Sequence, residues 1–181
     1  MDFDITKFYM RHSYLTNADS INFFVECCQR YADKGGRYAE NYQEDRVRSM
    51  IGRGRVDEGV LYLYYENDVV AFTGLESYKG KEALMATRLC VYNPSPVPYG
   101  AFFLVPKVLE IARERGYKHA AGSVNENNKN LVRLMMSGES KFNNTPFEKY
   151  KHMLKDCFDN FFVGEKQTHN GVEQQFYFIK V

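Results

Sequence analysis

The sequence predicts a mixed α/β domain with a mostly antiparallel central sheet and helices on both faces, spanning residues 1–181 as a single domain. Extended runs rich in Val, Leu and Tyr cluster in the middle of the chain, at residues 60–65, 69–78 and 83–92. Apolar residues at helical spacing flank that meander on both sides. After the third run come a helix and then another extended segment, a crossover unit that makes its two strands parallel.

Residues 3–14 have strand composition. Asn17, Asp19 or Ser20 then caps a helix whose apolar positions Ile21, Phe24, Val25 and Cys28 follow the i, i+3, i+4, i+7 pattern, and Gly35 and Gly36 end it. A second helix is expected from Glu40 to Ile51 on the stripe Tyr42, Val47, Met50 and Ile51. Asn67 and Asp68 turn the first two meander strands into a hairpin, and residues 79–81 turn the chain again. The run Asn93-Pro94-Ser95-Pro96-Val97-Pro98 is the only proline-dense loop, and the helix after it carries Ala101, Leu104, Val105, Val108, Leu109 and Ala112 as far as Gly116. Residues 117–124 read as a strand with small residues at Ala120, Ala121 and Gly122. The stretch 125–130 caps a short helix bearing Leu131, Leu134 and Met135, and a hairpin of residues 160–167 and 172–181 closes the chain.

Composition removes several classes of function. Lys plus Arg number 24 and Asp plus Glu 23, a net charge of +1 that draws in neither nucleic acid nor an anionic membrane. Apolar runs such as Ala101–Val105 are too short to span a bilayer, and the first residues show neither a basic region nor an apolar leader, so a cytoplasmic location is expected. Cys27, Cys28, Cys90 and Cys157 lack metal-site spacing and read as free thiols; His12, His152 and His169 have no Cys or His at ligand spacing, so no metal is expected, and His119, beside the fifth strand, reads as a packing or solvated residue. The 14 Phe and 14 Tyr supply every aromatic ring.

The stretch Leu89-Cys90-Val91-Tyr92-Asn93-Pro94 ends the fourth strand, Gly100-Ala101 heads the central helix, and Ala112-Arg113-Glu114-Arg115-Gly116 forms its tail. Asn128 precedes Leu131-Val132-Arg133-Leu134. On these residues and on element order the chain resembles the GNAT acyl-CoA N-acyltransferase superfamily over essentially its whole length. The resemblance implies acetyl-CoA or another acyl-CoA as cofactor and a small-molecule or peptide amine as acceptor. It places Leu89, Cys90 and Val91 along the pantetheine arm, Tyr99, Gly100 and Ala101 at the pyrophosphate, and Asn128 on the cofactor.

Against the family pattern, the loop before Gly100 lacks its usual Arg or Gln and one glycine. Pro94, Pro96 and Pro98 have no N–H to donate, so cofactor binding is expected to be weakened or lost. Pro106 marks a delayed helix start or a kink in the first turns. Met135 stands where the family often has a proton-donating tyrosine, and the fourth strand holds Arg88 but no carboxylate. Glu76 on the preceding strand is the candidate general base, with Glu82 at the start of the fourth as the alternative, directly or through water, and Tyr92 or Tyr99 is the candidate replacement acid. These losses leave open a non-catalytic GNAT-like structural or interaction protein with a protein partner or as a homo-oligomer, such as a bacteriophage component working in host cytoplasm or virion.

Overall fold

The computed structural model describes residues 3–97, 100–125, 143–144, 148–169 and 171–181. The chain forms two compact units, Met1–Ser77 with Thr87–Leu104, and Tyr78–Ala86 with Val105–Val181. Its seven strands are ordered β1-β2-β3-β4-β5-β7-β6, a mixed and mostly antiparallel sheet accompanied by helices.

In the first unit, Asp4 accepts the Thr6 N–H at 3.0 Å and caps a 3-10 turn over Ile5–Lys7. Strand β1 is consequently shorter than the composition suggests, Phe8–Ser13. Asn17 and Ser20 form a reciprocal capping box on α1, Ala18–Asp33, with the Ser20 N–H donating to Asn17 Oδ1 at 2.8 Å. The inward face of α1 is Phe24, Val25, Cys27, Cys28 and Ala32; Cys27 and Ala32 join the expected apolar stripe, and Ile21 is half-buried.

The single helix expected over residues 40–51 is two pieces, a 3-10 turn Ala39–Tyr42 and α2, Glu44–Gly52. Gln43 between them is extended, with φ −69° and ψ 148°. The break follows from tertiary packing of Tyr42, which is buried edge-on against Tyr31 at 4.7 Å and under the Arg88 guanidinium at 5.2 Å.

Strands β2 (Val60–Tyr65) and β3 (Asp68–Tyr78) pair antiparallel, joined through Glu66 in a left-handed conformation, φ 56°. Tyr62 and Phe72 are cross-strand partners and face α1, while the next pair, Leu63 and Ala71, faces the opposite side. On that opposite side lies Gly100, the first residue of α3 (Gly100–Glu114). Helices therefore cover both faces of this part of the sheet. Phe24, Cys28, Val47, Met50, Tyr62, Phe72 and Tyr92 form one continuous core beneath α1 and α2, and each fully buried ring contributes about 2–3 kcal/mol to holding the layers together.

The expected parallel pair is present: Ala83–Ala86 of β4 (Ala83–Val91) lie in register with His119–Gly122 of β5 (His119–Asn125). Strand β5 begins later than residue 117 because the Tyr117 N–H closes α3 by donating to the Ala112 carbonyl at 2.9 Å. Pro106 lies inside α3, so the helix start is not delayed; Pro106 has no N–H to give the Phe102 carbonyl. The second unit also contains a 3-10 turn Glu148–Met153 and a short helix α4, Lys155–Asp159, which the sequence pattern did not reveal. They bury Tyr150, Leu154 and Cys157. The closing hairpin, β6 (Phe161–His169) and β7 (Val172–Lys180), pairs to β5 through β7. The expected helix with Leu131, Leu134 and Met135 lies outside the described residues.

Candidate active site

Strand β4 continues beyond Ala86, the last residue in register with β5, to Val91. The Thr87 carbonyl accepts the Thr73 hydroxyl at 3.1 Å. Next comes Arg88 at φ 52°, a left-handed conformation that a non-glycine residue adopts at a cost of about 1–2 kcal/mol and that re-aims the strand's backbone groups. The side chain of Arg88 holds this kink in place. Its Nε donates to the Met50 sulfur, its Nη1 donates to the Asn41 carbonyl at 2.9 Å, and its guanidinium covers the Tyr42 ring.

The three residues assigned to the pantetheine arm alternate after that kink. Leu89 is 38% exposed, Cys90 is fully buried, and Val91 is half-buried against Gly100. Burial pushes the Cys90 thiol up to about 12, so it stays neutral, and its sulfur sits 3.3 Å from the Arg88 carbonyl.

Tyr92 holds the end of the strand to α1. Its N–H donates to the Val70 carbonyl at 3.0 Å and its hydroxyl to the Cys27 carbonyl at 2.8 Å, and burial drives the hydroxyl's pKa upward. The Tyr92 hydroxyl expected to act as an acid is thus committed to a backbone carbonyl inside the core. Over the ring's outer face lie two cations of α1 and its C-cap: the Arg30 guanidinium at 4.5 Å from the centroid and Lys34 Nζ at 5.9 Å.

The loop after Tyr92 turns inward. Ser95 Oγ accepts the Val97 N–H at 3.2 Å and donates to the Val97 carbonyl at 3.1 Å, and Val97 is buried. At the head of α3, a Cβ on Gly100 would lie 3.4 Å from Leu63 Cδ2, 3.5 Å from Ala71 Cβ and 3.8 Å from Val91 Cγ1. The glycine therefore seats the helix start directly on the sheet. Ala101 follows it, half-buried. The first amides of a helix have no intrahelical acceptor, and they carry the positive end of its dipole. Tyr99 and Asn128 lie outside the described residues.

Glu76 stands on β3, half-buried. Its Oε1 accepts Arg55 Nε at 2.6 Å and the Val56 N–H at 3.1 Å. The neighbouring Asp57 accepts both the N–H and the hydroxyl of Ser77, which fixes the residue 55–57 turn against β3.

Acyl-CoA fits these residues. No carboxylate occurs between Leu89 and Leu104 to repel phosphates. The segment also offers extended backbone, exposed apolar surface at Leu89, and the amides at the head of α3. What sequence reasoning missed is the backbone kink at Arg88 and the meeting of Arg30 and Lys34 over Tyr92. The i, i+4 spacing of those cations at the end of α1 was the one available sign of the latter.

Order of strands, helices on both faces and this strand-loop-helix arrangement define the fold of the GNAT acetyltransferases. Solved structures bear this out over nearly the full chain. An N-acetyltransferase from Staphylococcus aureus superposes with a TM-score of 0.60 at 13% identity, covering 96% of this chain and 98% of that one. The ribosomal-protein-alanine N-acetyltransferase from Brucella melitensis gives 0.59 at 14% identity over 96% and 99%. A GNAT family acetyltransferase from Elizabethkingia anophelis, solved with acetyl-CoA bound, gives 0.55 at 10% identity over 97% and 99%. No protein-family model matches the sequence, and no curated protein matches it. Among the described residues no helix is long and apolar enough to cross a membrane.

Proposed function

We propose that this chain is an acyl-CoA-dependent N-acyltransferase, transferring an acetyl group to an amine. The observation that carries the reading is the kinked end of β4 leading into the glycine-seated head of α3. Thr87–Val91 would offer backbone groups to the pantetheine arm, with Leu89 and Val91 as its apolar lining. Gly100 and Ala101 would hold the diphosphate through their amides, and the Asn93–Ser95 side of the loop would border it. When bound, the cofactor supplies an acyl carbon activated as a thioester.

The acceptor must reach that carbon as an uncharged amine. Glu76 is the group that takes the proton: Arg55 and the Val56 N–H engage Oε1 and orient the carboxylate, and Oε2 is the oxygen that accepts the ammonium proton through a water. Tyr92 keeps α1 fixed against the end of β4. Replacing Glu76 with Gln keeps an acceptor for the Val56 N–H but removes the base. We expect kcat to fall by about a hundredfold, with acetyl-CoA affinity unchanged, by steady-state kinetics and calorimetry.

A second reading, a non-catalytic GNAT-like interaction or structural protein, is favoured by one observation: the Val97 N–H is taken by Ser95, and Pro94 and Pro96 have none. Titration calorimetry with acetyl-CoA separates the two. Saturable binding with a dissociation constant below about 1 mM is expected for the enzyme. Absence of heat at millimolar ligand would remove the first reading and leave the second.

A further inference from the structure

The two edges of the sheet are built differently. At β6 the pairing is interrupted by a bulge between Val163 and Lys166, where the Gln175 side chain donates to the Gly164 and Glu165 carbonyls. Such irregularity blunts an edge against further pairing. Strand β1 has none of these devices. Its register with β2 runs unbroken from Phe8 opposite Tyr65 to Ser13 opposite Val60, and it holds neither Pro nor Gly.

One bond fixes which backbone groups face outward. The Glu66 N–H donates to the Lys7 carbonyl at 2.8 Å, so Lys7 and, by antiparallel alternation, Tyr9, Arg11 and Ser13 turn their backbone groups toward β2. Phe8, Met10 and His12 therefore point their N–H and C=O away from the sheet, and no described residue bonds to those groups. On the α1 face of the same edge, Tyr9 is exposed and stacks on Tyr64 at 5.0 Å. The exposed Arg11 guanidinium lies 5.5 Å from the Tyr9 ring and 5.7 Å from that of Tyr64, without a carboxylate partner among the described residues. Phe23, exposed and edge-on to Tyr62 at 5.0 Å, extends the apolar surface there.

This edge is complementary to itself in one register. Two antiparallel copies of β1 centred on Met10 set Phe8 against His12 and Met10 against Met10, so every outward N–H and C=O of the three residues is bonded. The same register sets Tyr9 of each copy against Arg11 of the other, a ring against a cation. Slipping the pairing by two residues opposes Arg11 to Lys7 in one direction and Arg11 to Arg11 in the other, and leaves His12 or Phe8 without a strand partner. A net charge of +1 adds little repulsion between whole copies.

We propose that the β1 edge is a dimer interface, to which a second copy of this chain adds its own β1, antiparallel about Met10. The interface is independent of the acyl-CoA reading. Sedimentation velocity of the full chain from about 1 to about 100 μM tests it, and a dissociation constant of about 10 μM is expected. Met10→Pro removes an outward N–H and spares the ladder with β2, so it should weaken the dimer by at least about tenfold. Tyr9→Arg opposes like charges across the axis and should weaken it by at least about tenfold as well. Combining Tyr9→Arg with Arg11→Glu sets opposite charges against each other again and should recover the dimer.

A chain that stays monomeric throughout that range overturns the proposal. Species larger than a dimer overturn it too, because two-fold pairing of one edge closes at two copies. A dimer of unchanged affinity in Met10→Pro or Tyr9→Arg places the contact elsewhere on the molecule. If Tyr9→Arg weakens the dimer and the double variant does not recover it, the register about Met10 is overturned. The Tyr9 and Arg11 variants alter side chains on the exposed face alone, so they decide the matter even where Met10→Pro fails to fold.

Discussion

Arg88 sets two effects in opposition at a single residue. Its left-handed φ of 52° costs backbone energy, and its side chain recovers that energy through the Asn41 carbonyl, the Met50 sulfur and the Tyr42 ring. Arg88→Ala loses the contacts and keeps the strain, whereas Arg88→Gly loses the contacts and relieves it. The glycine variant should therefore be the more stable of the two by about 1 kcal/mol in urea unfolding, despite lacking any side chain. Tyr92 admits a similar separation of effects. Tyr92→Phe leaves the ring and its cations in place and removes only the hydroxyl's bond to Cys27, so stability should drop by about 1 kcal/mol while kcat stays within about twofold. A collapse in kcat without loss of stability would instead assign proton transfer to that hydroxyl. Neither feature was legible beforehand. A positive φ on arginine leaves no trace in composition, and the carbonyl that receives the Tyr92 hydroxyl is 65 residues away in sequence. Gly100 was legible through the family resemblance, which sets it at the head of the central helix; its seating on Leu63 and Ala71, residues of two other strands, was not.

At the scale of elements, local signals were read correctly where local chemistry decides. The Asn17 cap, the glycine stop after α1, and the hairpin arms of β2 and β3 depend on residues a few positions apart. The helix expected over residues 40–51 was broken by forces the sequence pattern does not carry, since Tyr42 is drawn between Tyr31 and Arg88, residues from α1 and β4. The junction of β1 and β2 supplies a test at this scale. Gly59 has φ 86°, and a Cβ there would collide with the carbonyl of Ser13, which pairs with Val60. Backbone cannot swing away as a side-chain tip can. Gly59→Ala should cost about 3 kcal/mol or more, read by urea unfolding, and loosen the edge strand β1 in hydrogen exchange before the rest of the sheet.

For the molecule as a whole, the free thiols set the alkaline limit of stability. Burial pushes Cys27 up from 9.0 to about 11, and Cys90 and Cys157 up to about 12; Cys28 moves the same way. Their folded state therefore retains protons that the unfolded chain releases above pH 9. The stabilisation is fully present below that pH and is lost as pH rises through the window to about 11 or 12. Each such thiol removes about 1.4 kcal/mol per pH unit inside that window. Urea midpoints should be level from pH 7 to 8.5 and fall steeply from 9 upward. A thiol reagent at pH 8 should label none of the four cysteines in the native protein and all four after unfolding.

The exposure of Leu89 has a practical side. The chain contains no tryptophan, and this leucine stands outward on β4 beside the Arg88 kink. An indole placed there by Leu89→Trp would be the only one in the molecule, on the strand proposed to receive the pantetheine arm. Its emission, excited at wavelengths where the tyrosines are dark, would give ligand arrival a time course in a stopped-flow instrument.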